Sequence, residues 1–231
     1  MTPGLEKLLR IASEPRLPRC DERLHALPSG VDKSLVAELT RVLGHKNGFF
    51  AFESALHVFH HGSGSGTNLV DWNATDGWRR FYTKLPEALL FFAQDVLCCQ
   101  FAIGESGVWR LEPESGSLEQ HADTLEQWAE RVLADYPVEV AWTLAHEWQA
   151  SHGPLVEGMR LVPRRPFLLG GDFDVQNLIP MEAAAAMENL GRLYAQVAAI
   201  PDGENVTVRG WLTGDVSQYD PNSSRPRGGP S

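Results

Sequence analysis

The side chains best suited to chemistry lie in GHKNGFFAFESALHVFHHGSGSGTN, Gly44 to Asn68, where His57, His60 and His61 fall close together. If this segment curled, three imidazoles and a carboxylate such as Asp71 would make a tetrahedral zinc site and open a route to metal-dependent hydrolysis. The spacing has no HExxH order, and no second ligand cluster follows. The preferred reading is plainer: His57 is a partly buried cap on an apolar strand, and His60 and His61 open a solvated loop. His146 and Glu147 are helical neighbours that point in different directions, and with His152 they lack any motif for a positioned substrate proton. Gly104 to Gly107 places a serine between glycines without the GxSxG order and reads as a turn. The GSGSG run at Gly62 to Gly66 lacks the Lys-Ser/Thr of a phosphate loop and reads as a linker. Cys98 and Cys99 show no CxxC spacing and read as small apolar residues in a buried strand; with Cys20 they are thiols of a reducing compartment. No residue is assigned a catalytic, metal or cofactor role, and the expectation is a protein that is not an enzyme.

What remains is a surface. The 231 residues carry 30 acidic and 20 basic side chains, a formal charge of −10. That field repels nucleic acid and favours a basic partner. Carboxylates gather on turns: Glu105, Glu112, Glu114 and Glu119 around one set of reversals, Asp172 and Asp174 beside Gly170-Gly171. As a set they form a candidate negative face for a cationic protein. Trp72 and Trp78, beside the glycine loop, are candidate apolar anchors, with core burial the competing reading. No secretion signal and no apolar run long enough to span a bilayer is seen, so a cytoplasmic protein without a membrane partner is expected.

The elements that must position this surface follow from periodicity. Leu35, Val36, Leu39, Val42 and Leu43 predict a helix over Val31–Leu43, capped by Asp32 or Ser34 and ended by Gly44. Pro15, Pro18 and Pro28 mean that anything helical near Leu5–Ile11 is separated from it by an irregular connection, and Asn47-Gly48 turns the chain into an aromatic core stretch. Trp78–Leu85 has helical character; Ala88–Val96 and Leu97–Ile103 read as strands, followed by a reversal into Val108–Leu111 and another at Pro113–Gly116. Such closely spaced reversals predict an antiparallel meander. Thr124 with Gln127 starts an amphipathic helix carrying Trp128, which Pro137 stops; Val138–His152 is a further helix, or a strand at its start. Leu161–Leu169 suits a proline-guarded edge strand, turned by Gly170-Gly171 into Phe173–Ile179. Glu182–Ala199 is helical and Asn205–Trp211 a last strand. One domain over residues 1–212 and a mobile Pro/Gly/Ser-rich tail over 213–231 complete the expectation.

The ordered blocks LGHKNGFFAFESALHVF, LLFFAQDVLCCQFAIGESGVWRLEPESG, the helix with Trp128 and PFLLGGDFDVQNLIPMEAA resemble members of the SUKH superfamily. It includes bacterial immunity proteins encoded beside polymorphic toxins and, distantly, yeast cell-wall-assembly regulators. Gly44 and Asn47-Gly48 match the turn after the family's first helix, Gly104, Gly107 and Trp109 its central hairpin, and Gly116 the following turn. Many relatives have a glycine and a polar residue where this chain has Cys98-Cys99. The resemblance implies an α+β fold, a mostly antiparallel multi-stranded sheet packed by helices. It also implies a cytoplasmic immunity protein that neutralises a cognate toxin effector domain by steric and electrostatic occlusion, with no cofactor. A regulatory protein-binding scaffold that inhibits no enzyme is the alternative, and a metal-dependent hydrolase a weaker one.

Overall fold

A computed structural model describes residues 1–19, 24, 28–64, 66–198, 200 and 208–212. Helix α1 (Pro3–Ile11) begins on a proline, which has no N–H to leave unbonded there. Helix α2 (Lys33–His45) is capped by Asp32, whose Oδ1 accepts from the N–H groups of Ser34 and Leu35. It runs through Gly44 instead of ending on it. The next residue, Lys46, donates from Nζ to the carbonyls of Leu9 and Ala12, so a cation satisfies the C-terminal end of α1 and ties the two helices together.

The sheet is the expected meander. Strands β1 (Phe49–Ala51), β2 (Leu56–Val58), β3 (Leu90–Asp95), β4 (Gln100–Ile103), β5 (Val108–Leu111) and β6 (Leu118–Ala122) pair antiparallel in chain order, giving an α+β fold. Directly paired residues share a face. Phe49 and Val58 line a small internal void with Leu5 and Leu8 of α1, Leu39 and Val42 of α2, and Trp128 of α4 (Leu125–Ala134). On the other face lie Phe50, His57, Gln94 and Gln100; Arg160 sits over the Phe50 ring, and Gln100 meets Met187 of α7 (Ala183–Val197). Because both faces are covered, β2, β3 and β4 are buried along their length and show no alternation.

Several boundaries differ from the periodicity reading, each for a local reason. Strand β6 was not expected, because LEQHA is polar through its middle and has no apolar run. Cys98 lies in the β3–β4 turn, not in a strand; its φ of +70° is the left-handed region that favours glycine, and Asp95 Oδ1 holds the turn by accepting from Leu97 and Cys99 N–H. The helical segment expected over Trp78–Leu85 is a 3₁₀ turn at Trp78–Phe81, and a short helix, α3 (Leu69–Trp72), which was not expected, precedes it. Helix α4 ends at Ala134, and Pro137 starts the short α5 (Tyr136–Glu139) instead of stopping α4; α6 (Trp142–His152) follows, with no strand between. The proline-bearing strand is β7 (Met159–Pro163), paired with β8 (Leu178–Glu182) in a separate two-stranded sheet. Between them runs an irregular loop, 164–177, pinned by Asn177, whose side chain bonds Arg165 N–H and the carbonyls of Arg165 and Asp172.

Val208–Trp211 do not form a strand; Trp211 instead donates its indole N–H to the Arg164 carbonyl. The rest of that expected strand, Cys20 and the segment 213–231 with Arg225 and Arg227 lie outside the described residues. Among the described residues no helix is long and apolar enough to cross a membrane.

Candidate functional site: an acid-floored apolar cleft

Hairpins of a meander alternate between the two ends of the sheet, and this divides the carboxylates expected to form one face. Glu105 sits exposed on the β4–β5 turn; Glu112 and Glu114 sit on the β5–β6 turn, at the other end of β5. Glu119 lies on β6 opposite Arg110. Asp172 and Asp174 are exposed on loop 164–177, where Asp174 caps a 3₁₀ turn through Gln176 N–H. Glu114 is 3% exposed and belongs to the fold: its two oxygens accept from Phe167 N–H at 3.1 Å and Leu168 N–H at 2.7 Å. Burial raises its pKa, and those two N–H groups oppose the rise.

The two tryptophans expected as anchors are core residues, 6% and 4% exposed. Trp72 donates to Gln100 Oε1 at 2.8 Å and Trp78 to the Trp72 carbonyl at 3.0 Å, so each indole is buried with its N–H satisfied. The aromatic chain continues through Tyr82, which stacks on Tyr194 and donates its hydroxyl to the Pro113 carbonyl. Gly116, at φ +70°, lies against the Tyr194 ring where no side chain fits.

The histidines do not converge on one point as a ligand set. His57 is fully buried, stacked on Phe50 at 4.2 Å, with Nδ1 facing Gln94 Nε2. Burial first, then Arg160, His60 and Arg16, hold its pKa well below the usual 6.5, so it is neutral. His60 is buried too and does not open a solvated loop; Asn47 grips the backbone of His61 through both N–H and carbonyl. Among the described residues no group of three or more His, Cys, Asp or Glu is placed to hold a metal ion. His146 bonds Glu53 at the surface and stacks on Trp142, and His152 stacks on Trp148.

The loop that Glu114 holds completes a cleft of about 540 Å³ between the β3–β4 turn, strand β5, helices α5 and α6, and loop 164–177. Its floor carries Asp95, Cys99 and Arg110, and Glu112 and Glu114 line its side. Asp95 is buried and accepts from Leu97 N–H, Cys99 N–H and, at 3.3 Å, Arg110 Nη2. Burial raises its pKa, while the Arg110 cation and the Cys99 N–H act against the rise. Burial likewise holds the Cys99 thiol well above its ordinary pKa, so it stands protonated and is a poor nucleophile. The rim is apolar and open: Val138 is 68% exposed, Leu168 49% and Phe173 69%. Phe173 lies flat on Phe167, ring centres 4.0 Å apart, leaving its other face free. Such a site can desolvate and orient a bound group.

Sequence reasoning passed over Asp95, Arg110, Val138, Leu168 and Phe173. Two signals were present. A carboxylate inside FFAQDVLCC must be satisfied by N–H groups or a cation if the run is buried, and the leucines and phenylalanine of LLGGDFD sit among turn residues that have no core to enter.

No family model matches the chain, and no curated protein matches it. Among solved structures it is similar to Atu4351 from Agrobacterium tumefaciens, with a TM-score of 0.53 and 13% identity over 83% of this chain and 88% of that one. At this identity the likeness concerns the fold.

Proposed function

We propose that the chain is an immunity protein of the SUKH kind, which acts in the cytoplasm by binding a cognate, basic toxin domain and covering its active site. The observation that carries this reading is the cleft: three exposed apolar side chains, Val138, Leu168 and Phe173, ring a cavity whose lining holds three carboxylates, Asp95, Glu112 and Glu114, against one guanidinium. Exposed apolar side chains beside acidic groups suit the docking of a cationic protein partner, and the chain's formal charge of −10 adds long-range attraction of the same sign. The turn at Cys98 also fits the resemblance, since the left-handed backbone there is what the glycine of many relatives would supply.

The test is to co-express the chain with the toxin domain encoded beside its gene. Stable co-purification together with stoichiometric loss of toxin activity supports immunity. A toxin that stays fully active at excess of the chain would refute it and leave the scaffold reading.

A further inference from the structure

We infer that the cleft is an anchor pocket for one arginine side chain presented by a basic polypeptide, with the guanidinium laid on the open face of Phe173 and turned toward Glu112 and Glu114. This deepens the binding role proposed above and rests on it for the partner's identity, though not for the pocket's chemistry.

Charge decides the sign of the occupant. Asp95, Glu112 and Glu114 line the cleft against the one cation Arg110, and Arg110 is already committed to Asp95. An anionic group would meet a net negative wall, whereas a cation gains from it. The carboxylates keep room to accept. Glu114 takes two N–H bonds, one on each oxygen, of the roughly four that an ionised carboxylate can accept. Glu112 accepts from Glu114 N–H on one oxygen and from the Ser115 N–H and hydroxyl on the other, so its first oxygen retains a lone pair.

Shape decides between cations. Phe173 is held parallel to Phe167 and presents a flat, solvent-facing aromatic surface, which a planar guanidinium covers better than a compact ammonium. Arginine is also the more weakly hydrated cation and so enters a half-apolar cleft at lower cost. Its aliphatic stem would pack on Val138 and Leu168, two exposed side chains that otherwise face water. The pocket is prepared in advance, because Glu114 fixes the 167–168 backbone and Asn177 fixes the backbone at Arg165 and Asp172.

The experiment uses the full chain, isotope-labelled for amide NMR, titrated with a capped peptide Gly-Leu-Arg-Leu-Gly and with matched peptides carrying lysine or citrulline in the middle. The arginine peptide is expected to shift the amides around Val138, Leu168 and Phe173 saturably. Citrulline, which keeps the shape and loses the charge, is expected to bind about tenfold more weakly or less, and lysine to fall between. Phe173→Ser should weaken the arginine peptide about tenfold while leaving the rest of the spectrum in place, since an exposed ring is removed. Equal binding of citrulline, shifts confined to another surface, or no saturable shift would overturn the pocket. Toxin inhibition by the wild-type chain separates the two proposals: inhibition without arginine-peptide binding rejects the anchor alone, and peptide binding without inhibition supports the anchor and rejects immunity.

Discussion

The chain from Phe59 through Trp72 and Trp78 to Tyr82 and the rim of Val138, Leu168 and Phe173 are both rich in large apolar groups, yet they have opposite fates. In the first, every indole and hydroxyl finds an acceptor inside the protein, and Tyr194 of α7 stacks on Tyr82 at the end of the chain of rings. In the second, the supporting loop spends its polar groups on holding itself, through Glu114 and Asn177, and its apolar side chains are left outside. Burial of a tryptophan therefore does not follow from its type, nor exposure from a neighbouring glycine loop. What decides is whether another element comes to cover the ring and bond its N–H.

The hardest way to break this contrast is to remove a ring from each side. Trp78→Ala should cost about 3–5 kcal/mol of stability by urea unfolding, as large core truncations do, whereas Phe173→Ser should leave stability within about 0.5 kcal/mol, as surface changes do. Comparable losses in the two variants would mean the rim is structural.

Glu114 joins the regions and should give an intermediate effect. In Glu114→Ala the N–H groups of Phe167 and Leu168 lose their acceptor, at about 1–3 kcal/mol. The loop should loosen selectively, seen as faster amide exchange at Phe167 and Leu168 with Trp72 and Trp78 unaffected. Uniform loss of protection would contradict a local role.

Acid should sharpen the distinction further. His57 in the core has a folded pKa well below its unfolded 6.5, so unfolding takes up a proton as pH falls below about 6.5, and stability declines from there downward. Glu114 has a folded pKa raised above 4.5; the folded state takes up its proton first, which opposes that decline as pH falls toward 4.5. Thermal midpoints between pH 7.5 and 4.5 should then fall less steeply in His57→Gln than in the wild type, and more steeply in Glu114→Gln. Parallel profiles would count against both assignments.

The smallest effect is expected at the loop carboxylates. Asp172→Asn with Asp174→Asn should change stability by no more than about 0.5 kcal/mol, because both are exposed and Asn retains the cap on Gln176. Association with a basic partner should slow, and the difference from wild type should fade at high salt. A change in dissociation alone would place those carboxylates in the buried centre of the interface instead of its margin.

Much of this architecture was legible in the residues. The meander follows from Gly104–Gly107 and Pro113–Gly116 punctuating apolar runs, and α2 and α4 follow from helical apolar spacing with Asp32 and Thr124 as caps. These are local matters: a turn needs a residue that tolerates its φ, and a cap needs an oxygen beside a free N–H. Strand β6 was not legible because LEQHA has three polar residues between Leu118 and Ala122 and so carries little apolar signal. Neither was the left-handed turn at Cys98, which Asp95 stabilises with a side chain the local pattern does not weigh.

The candidate surface was the least legible part. Acidity and net charge are additive over residues, so the preference for a cationic partner could be read directly from the chain. Which carboxylates stand together could not. Glu105 and Glu114 are close in sequence, but one β-strand carries them to opposite ends of the sheet, while Phe167, far along the chain, comes to bond Glu114. The sequence by itself determined α2, α4, the central hairpins and the sign of the field, because caps and turns depend on neighbours along the backbone and charge adds over residues. Only the tertiary structure decided that Trp72 and Trp78 are core and that Phe173 faces water beside Asp95, Arg110 and Glu114, because burial and juxtaposition depend on which distant element arrives to cover each group.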